Sequence, residues 1–225
     1  MYEEYFNYTP QEKMRTFFLR ELASQGLLKH YKKNDQVDYY SNSKLSIVVK
    51  GKLKICIYTK SGLEKILFFL LPGEIYGEES LFYPHIDITP VPLEDTTISF
   101  IDNDVLEEYM ASNSMCYSYF FQSILRKYQI SLFQMGDLLK HSPQTQICSA
   151  LSRMAIQSIE STNSNTKNIG EIIIPLTHEV IANLIGCSRV TVTRVLNDLR
   201  KLGIIDTSHK EFKILDLERL KNLSE

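Results

Sequence analysis

Between Thr177 and Lys201 the chain reads THEVIANLIGCSRVTVTRVLNDLRK, and its apolar positions recur with the period of two short helices. In the second, Val192, Val195, Leu196 and Leu199 share one face. Arg189, Val190, Thr193, Arg194 and Asn197 share the opposite one. Thr177 and Ser188 stand where N-caps belong. Gly186 supplies the positive φ of a tight turn, and Ala182 is small enough for two helices to cross closely. The pattern predicts a helix-turn-helix with an apolar back and a front of Arg, Thr and Asn, which suits the major groove of DNA. A helical hairpin with a solvated face is the alternative. It leaves unexplained why caps, turn and small residue fall in order.

Upstream the pattern changes twice. The first thirty residues read as helical, with Phe17, Phe18, Leu19, Leu22, Leu27 and Leu28 on one loose face. From about Val37 to Ile101 short β-rich runs follow: LSIVV, KLKICIYT, KILFFLL and TTISFI, separated by turn signals at Gly51, Gly62 and Pro72-Gly73. Short strands at this spacing predict an antiparallel β-roll or jelly roll. Asn103 or Asp104 opens a short helix, and a long helical segment then runs to about Lys140. Within it Phe121, Leu125, Tyr128, Leu132, Met135 and Leu139 alternate at spacings of four and three, a heptad seam. Such a seam predicts a homodimer, while Phe120, Ile124 and Leu138 offer a second face to the β-roll. The alternative is that the seam packs on the roll of its own chain.

Ser142-Pro143 is an N-cap followed by a first-turn proline. The next helix carries Ile147, Cys148, Leu151, Met154 and Ala155 on one face. STNSNTKN reads as a loop, EIIIPL as a strand, and IIDTSHKEFKIL as a hairpin wing with His209 and Lys210 near its tip. The expected fold is α+β: a β-roll domain with flanking helices (1–111), a dimerisation helix (112–141) and a winged helix-turn-helix domain (142–225).

Composition narrows the function. The chain has 225 residues and a net charge of −2, yet Arg189–Lys201 holds Arg189, Arg194, Arg200 and Lys201 against the single Asp198. Local field, not total charge, draws a protein to phosphate. No apolar run approaches the roughly 20 residues that span a bilayer, and no secretion signal opens the sequence, so the cytoplasm is the expected location. The four cysteines, Cys56, Cys116, Cys148 and Cys187, form no CxxC pair, which argues against metal or iron–sulfur ligation. They read as small core residues. No cofactor is expected. Neither a nucleophile elbow, a phosphate loop nor a zinc-protease motif is present. Glu78-Glu79 and Asp102/Asp104 read as solvated turn acids, so catalysis is not expected.

Two stretches carry a family resemblance. GEIYGEESLF (73–82) looks like a β-roll motif of the form G-[DE]-x-x-G-E-x-x-L-F, and Ile185–Leu196 is close to a known turn and recognition helix. Both resemble the Crp/Fnr family of bacterial transcription regulators, and the order of parts agrees over almost the whole chain. The resemblance implies a homodimer on palindromic DNA, an effector in the β-roll that repositions the DNA-reading domains, and RNA polymerase as partner where the regulator activates.

The departures matter as much. Cyclic-nucleotide-binding members place an Arg-Ser pair about ten residues after the motif. Here that region reads TPVPLED, and no Lys or Arg occurs between Lys65 and Arg126. A buried phosphate needs a compensating cation, and the nearby acids, Glu74, Glu78, Glu79, Asp87, Glu94 and Asp95, would oppose it. The expectation is no binding of cAMP or cGMP, although Glu78 stands where the family's ribose-binding Glu would be. A small aromatic effector fits better, in a pocket of Tyr76, Phe82, Tyr83, His85, Lys127 and Tyr128. A sensor domain without effector is the alternative. On DNA, Val190 replaces a cytosine-reading Glu of many members and could pack on a thymine methyl. Thr177, Ser188 and Thr191 suit phosphates, while Arg189, Thr193, Arg194 and Asn197 face the groove.

Overall fold

Strand β2 (Lys44–Lys50) divides two cores by simple alternation. Leu45 and Ile47 face one side and pack with Met14, Phe18, Leu22, Leu106 and Phe120 from helices. Val48 faces the other and packs with Leu53, Ile55, Leu70, Ile98 and Phe100. This computed structural model describes residues 11–37, 44–81, 88–140, 142–161, 176–207 and 212–224.

The roll is a pair of antiparallel sheets. β1 (Leu27–Tyr31), β7 (Thr96–Asp102), β2 and β5 (Ile75–Tyr76) form one, in that order; β4 (Glu64–Leu70), β3 (Leu53–Tyr58) and β6 (Thr89–Pro92) form the other. The four strands expected from LSIVV, KLKICIYT, KILFFLL and TTISFI are all present. One expectation is corrected at the start. Helix α1 (Gln11–Phe17) continues through a π turn at Phe18–Leu22 and a 3-10 turn at Ala23–Gln25. The chain then enters β1, so Leu27 and Leu28 lie in a strand and are exposed rather than on a helical face.

After β7 come α2 (Asn103–Ser112), α3 (Ser114–Asp137) and α4 (Pro143–Ser161). The Asn113 carboxamide oxygen caps α3 by accepting from the Met115 and Cys116 amides at 3.0 and 3.1 Å. Ser142 caps α4, its hydroxyl oxygen accepting from the Thr145 amide at 3.1 Å. α5 (His178–Ile185) and α6 (Arg189–Lys201) form the helix-turn-helix; β8 (Ile205–Asp206) pairs with β9 (Lys213–Ile214), and α7 (Leu217–Asn222) follows. The loop 162–168, most of EIIIPL and the wing tip at His209 and Lys210 lie outside the described residues.

The architecture is α+β, with an antiparallel N-terminal roll, a long helix and a helix-turn-helix. Two compact units divide within α3, one of them Pro10–Ser131 and the other holding Leu132–Glu225. No helix among the described residues is long and apolar enough to cross a membrane. Burial pushes the thiols of Cys116 and Cys148 up to about 11 and that of Cys56 up to about 12, as expected of core cysteines.

Candidate functional site

The α5–α6 pair is built by local chemistry. The Thr177 hydroxyl oxygen accepts from the Val180 amide, and that of Ser188 from the Thr191 amide, each at 3.1 Å. Gly186, at φ +87°, ends α5, and both its amide and that of Cys187 donate to the Ala182 carbonyl. Val192, Val195, Leu196 and Leu199 are buried. Opposite them lies a shallow groove lined by Arg189, Val190, Thr193, Arg194 and Asn197, with Asp198 and Lys201 at its end.

The members of that front are not equally free. Arg189 and Arg194 are exposed, and Val190, which lines the same groove, is 79% exposed. Asn197 accepts from Arg200 at 3.2 Å, which leaves its amide hydrogens to donate. The Thr193 hydroxyl donates to the Arg189 carbonyl at 2.9 Å and lies 2.8 Å from His178 Nδ1. His178 was not singled out from sequence; its partner lies fifteen residues on, beyond any local pattern. Thr177, Ser188 and Thr191 sit at the helix starts. The Thr177 hydroxyl accepts from an amide and keeps its hydrogen to donate, whereas the Ser188 and Thr191 hydroxyls lie 2.9 Å apart and share one hydrogen bond, which leaves that pair one hydrogen for a phosphate oxygen.

Along α3 the seam residues face outward. Phe121, Leu125, Tyr128, Leu132 and Met135 are between 45% and 64% exposed, whereas Cys116, Phe120, Ser123 and Arg126 are buried. Leu139 is exposed beyond the end of the helix. So is Leu138, which had been expected to face the roll.

In the N-terminal roll, residues 73–81 of the GEIYGEESLF stretch form a tight turn, strand β5 and a 3-10 turn over Glu78–Leu81. Gly73 has φ +83°, and a Cβ added there would lie 2.5 Å from the Arg15 carbonyl oxygen. This close approach brings Arg15 Nη2 to 3.2 Å from Glu74 Oε1, and Arg126 Nη1 reaches the same oxygen at 2.5 Å. Burial opposes ionisation of Glu74. Arg126, Arg15 and the Leu71 amide overcome it and hold the carboxyl below its ordinary range. Glu78 is buried rather than solvated. It pairs with the Lys127 ammonium and accepts from the Ser123 hydroxyl at 3.1 Å. Lys127 also donates to the Ile75 carbonyl at 2.7 Å and stands 5.7 Å from the Phe68 ring centroid.

Three expectations change here. The cation-free stretch between Lys65 and Arg126 does not leave its acids unopposed, because Arg15, Arg126 and Lys127 reach Glu74 and Glu78 from outside it. Tyr128, expected beside Lys127 in a pocket, is 58% exposed on the seam face; adjacent helical residues point about 100° apart. Tyr76 is buried in the core between the sheets. Phe82, Tyr83, His85 and Asp87 lie outside the described residues.

Two family models match the chain. The cyclic nucleotide-binding domain matches residues 29–113 and the Crp-like helix-turn-helix domain residues 145–223. The CRP-like cAMP-activated global transcriptional regulator of Mycobacterium tuberculosis is 27% identical over 182 residues, 79% of this chain and 78% of the relative. FixK2 from Bradyrhizobium japonicum superposes with a TM-score of 0.75 at 18% identity, covering 89% of this chain and 98% of that one. CprK in complex with OCPA superposes with a TM-score of 0.69 at 22% identity, covering 89% and 92%.

Proposed function

We propose, from the premise that this chain belongs to the Crp/Fnr family of transcription regulators, that it acts as a homodimer reading an A/T-rich inverted repeat. The observation that carries the reading is the front of α6, where exposed Arg189 and Arg194 flank Val190 beside Asn197. Arginine serves guanine edges or phosphates, and a valine can favour only a thymine methyl. Two such helices per dimer would meet successive grooves about one helical turn, roughly 10 bp, apart. The exposed seam of α3 supplies the dimer contact. The cytoplasm is its proposed location and RNA polymerase its partner where it activates; catalysis is no part of the proposal.

Control by a small molecule other than cAMP is the first reading of the sensor half. Bound cyclic nucleotide would need a ribose partner and a phosphate partner. Glu78 is already neutralised by Lys127, while Arg15 and Arg126 are held by Glu74. The OCPA complex of CprK is a neighbour in fold that holds a ligand. The same internal pairing favours a second reading, in which the sensor domain is a ligand-independent scaffold.

Titration calorimetry with cAMP and cGMP, with gel shifts in their presence and absence, tests both. The expected result is no nucleotide binding; micromolar affinity for either contradicts it. Full DNA binding by chain stripped of small molecules by unfolding and refolding selects the scaffold reading.

A further inference from the structure

His178 opens α5, yet its ring reaches across to α6. Nδ1 lies 2.8 Å from the Thr193 hydroxyl in a part-buried contact. That hydroxyl has one hydrogen, and it donates it to the Arg189 carbonyl at 2.9 Å. In the tautomer with its hydrogen on Nδ1, the ring donates to that same oxygen, and the two bonds together hold the hydroxyl. A helical threonine divides between two χ1 wells because its oxygen can turn back to a carbonyl one turn earlier. The imidazole favours the well that keeps the oxygen against α5.

We propose that His178 is a positioning residue that sets base specificity: by holding the Thr193 hydroxyl inside the α5–α6 pair, it leaves the Thr193 methyl as the group that meets DNA. The inference rests on the DNA-reading role of α6. Val190 and Thr193 line the same groove, and both then present only methyl groups. The base-edge feature that methyls prefer is the 5-methyl of thymine. Selection for thymine thus comes from two adjacent positions on the helix, one of them controlled from the neighbouring helix.

The test is competition binding of full-length wild type, His178→Ala, His178→Asn and Thr193→Val to the wild type's selected site and its single-base variants, over a range of salt. Thr193→Val keeps methyl groups and is expected to retain the wild-type base preference within about twofold. His178→Ala is expected to lose about fourfold of the thymine preference at one position, the worth of one buried methyl-sized group, with an unchanged salt slope. His178→Asn, whose amide nitrogen can stand near the place of Nδ1, is expected to restore it. A Thr193→Val chain that loses the preference overturns the inference, because the hydroxyl itself would then read a base. So does a His178→Ala chain that weakens all sequences alike with a shallower salt slope, the mark of a phosphate contact. If His178→Ala does not fold, His178→Leu, which fills the ring's space without a donor, takes its place, with the same loss expected and an unchanged base preference overturning the inference. A wild type that selects no sequence removes the DNA reading itself, and this inference with it.

Discussion

Arg153 Nη1 lies 2.6 Å from the Asp137 carboxylate, joining the last residue of α3 to the middle of α4. Both side chains are buried. Asp137 also accepts from the Ser149 hydroxyl at 2.8 Å and lies 3.3 Å from Lys140, whose ammonium donates to the Ser224 carbonyl. The entry to the DNA-reading half is thus fixed by a cluster of charges that satisfy one another.

Removing Arg153 takes the shorter ion pair from buried Asp137 and leaves it the more exposed Lys140. Arg153→Met is expected to cost about 1–3 kcal/mol, and Asp137→Leu with Arg153→Met together less than the sum of the two single losses. Denaturant unfolding of the three variants measures this; additive losses would contradict coupling.

Glu74 makes stability acid-sensitive. Its folded carboxyl titrates below the unfolded value of about 4.3. Its contribution is therefore complete above that value and is lost as pH falls through the lower, folded one. Glu74→Gln should be less stable than wild type at neutral pH, and the gap should narrow below about pH 4. Thermal unfolding across the acid range checks the sign, and a gap that widens there contradicts it.

Leu132, 45% exposed on the α3 seam, tests the dimer. A charge at a packed heptad position is strongly unfavourable, so Leu132→Glu should sediment as single chains and bind one half-site weakly. A dimer unchanged by the substitution would place the contact elsewhere.

Val190→Glu should move preference toward a G·C pair at one position of each half-site, by about 1–3 kcal/mol. A carboxylate accepts from the cytosine amine, which valine cannot do. An unaltered site would contradict the assignment of Val190 to a base edge.

The helix-turn-helix was legible because each of its determinants is local. Caps lie three residues from the amides they satisfy, Gly186 lies at the turn, and the buried face follows the helical period. Strands β2, β3, β4 and β7 were legible from alternation and turn residues. β1 was not, since LLKHY is exposed along most of its length and is held by pairing with β7 far along the chain. β6 was hidden by its prolines, which an edge strand tolerates. The N-terminal half was least legible. Its ion pairs, Arg15–Glu74 and Lys127–Glu78, close over 59 and 49 residues. Sequence spacing placed the acids but could not say which cations would come to them.

Selection of bound fragments from a random duplex library by the wild-type chain tests the central reading most directly. The expected product is an A/T-rich inverted repeat with half-site centres about 10 bp apart. Enrichment of a site with no two-fold repeat, or no enrichment at all, would contradict a paired reading of DNA by α6.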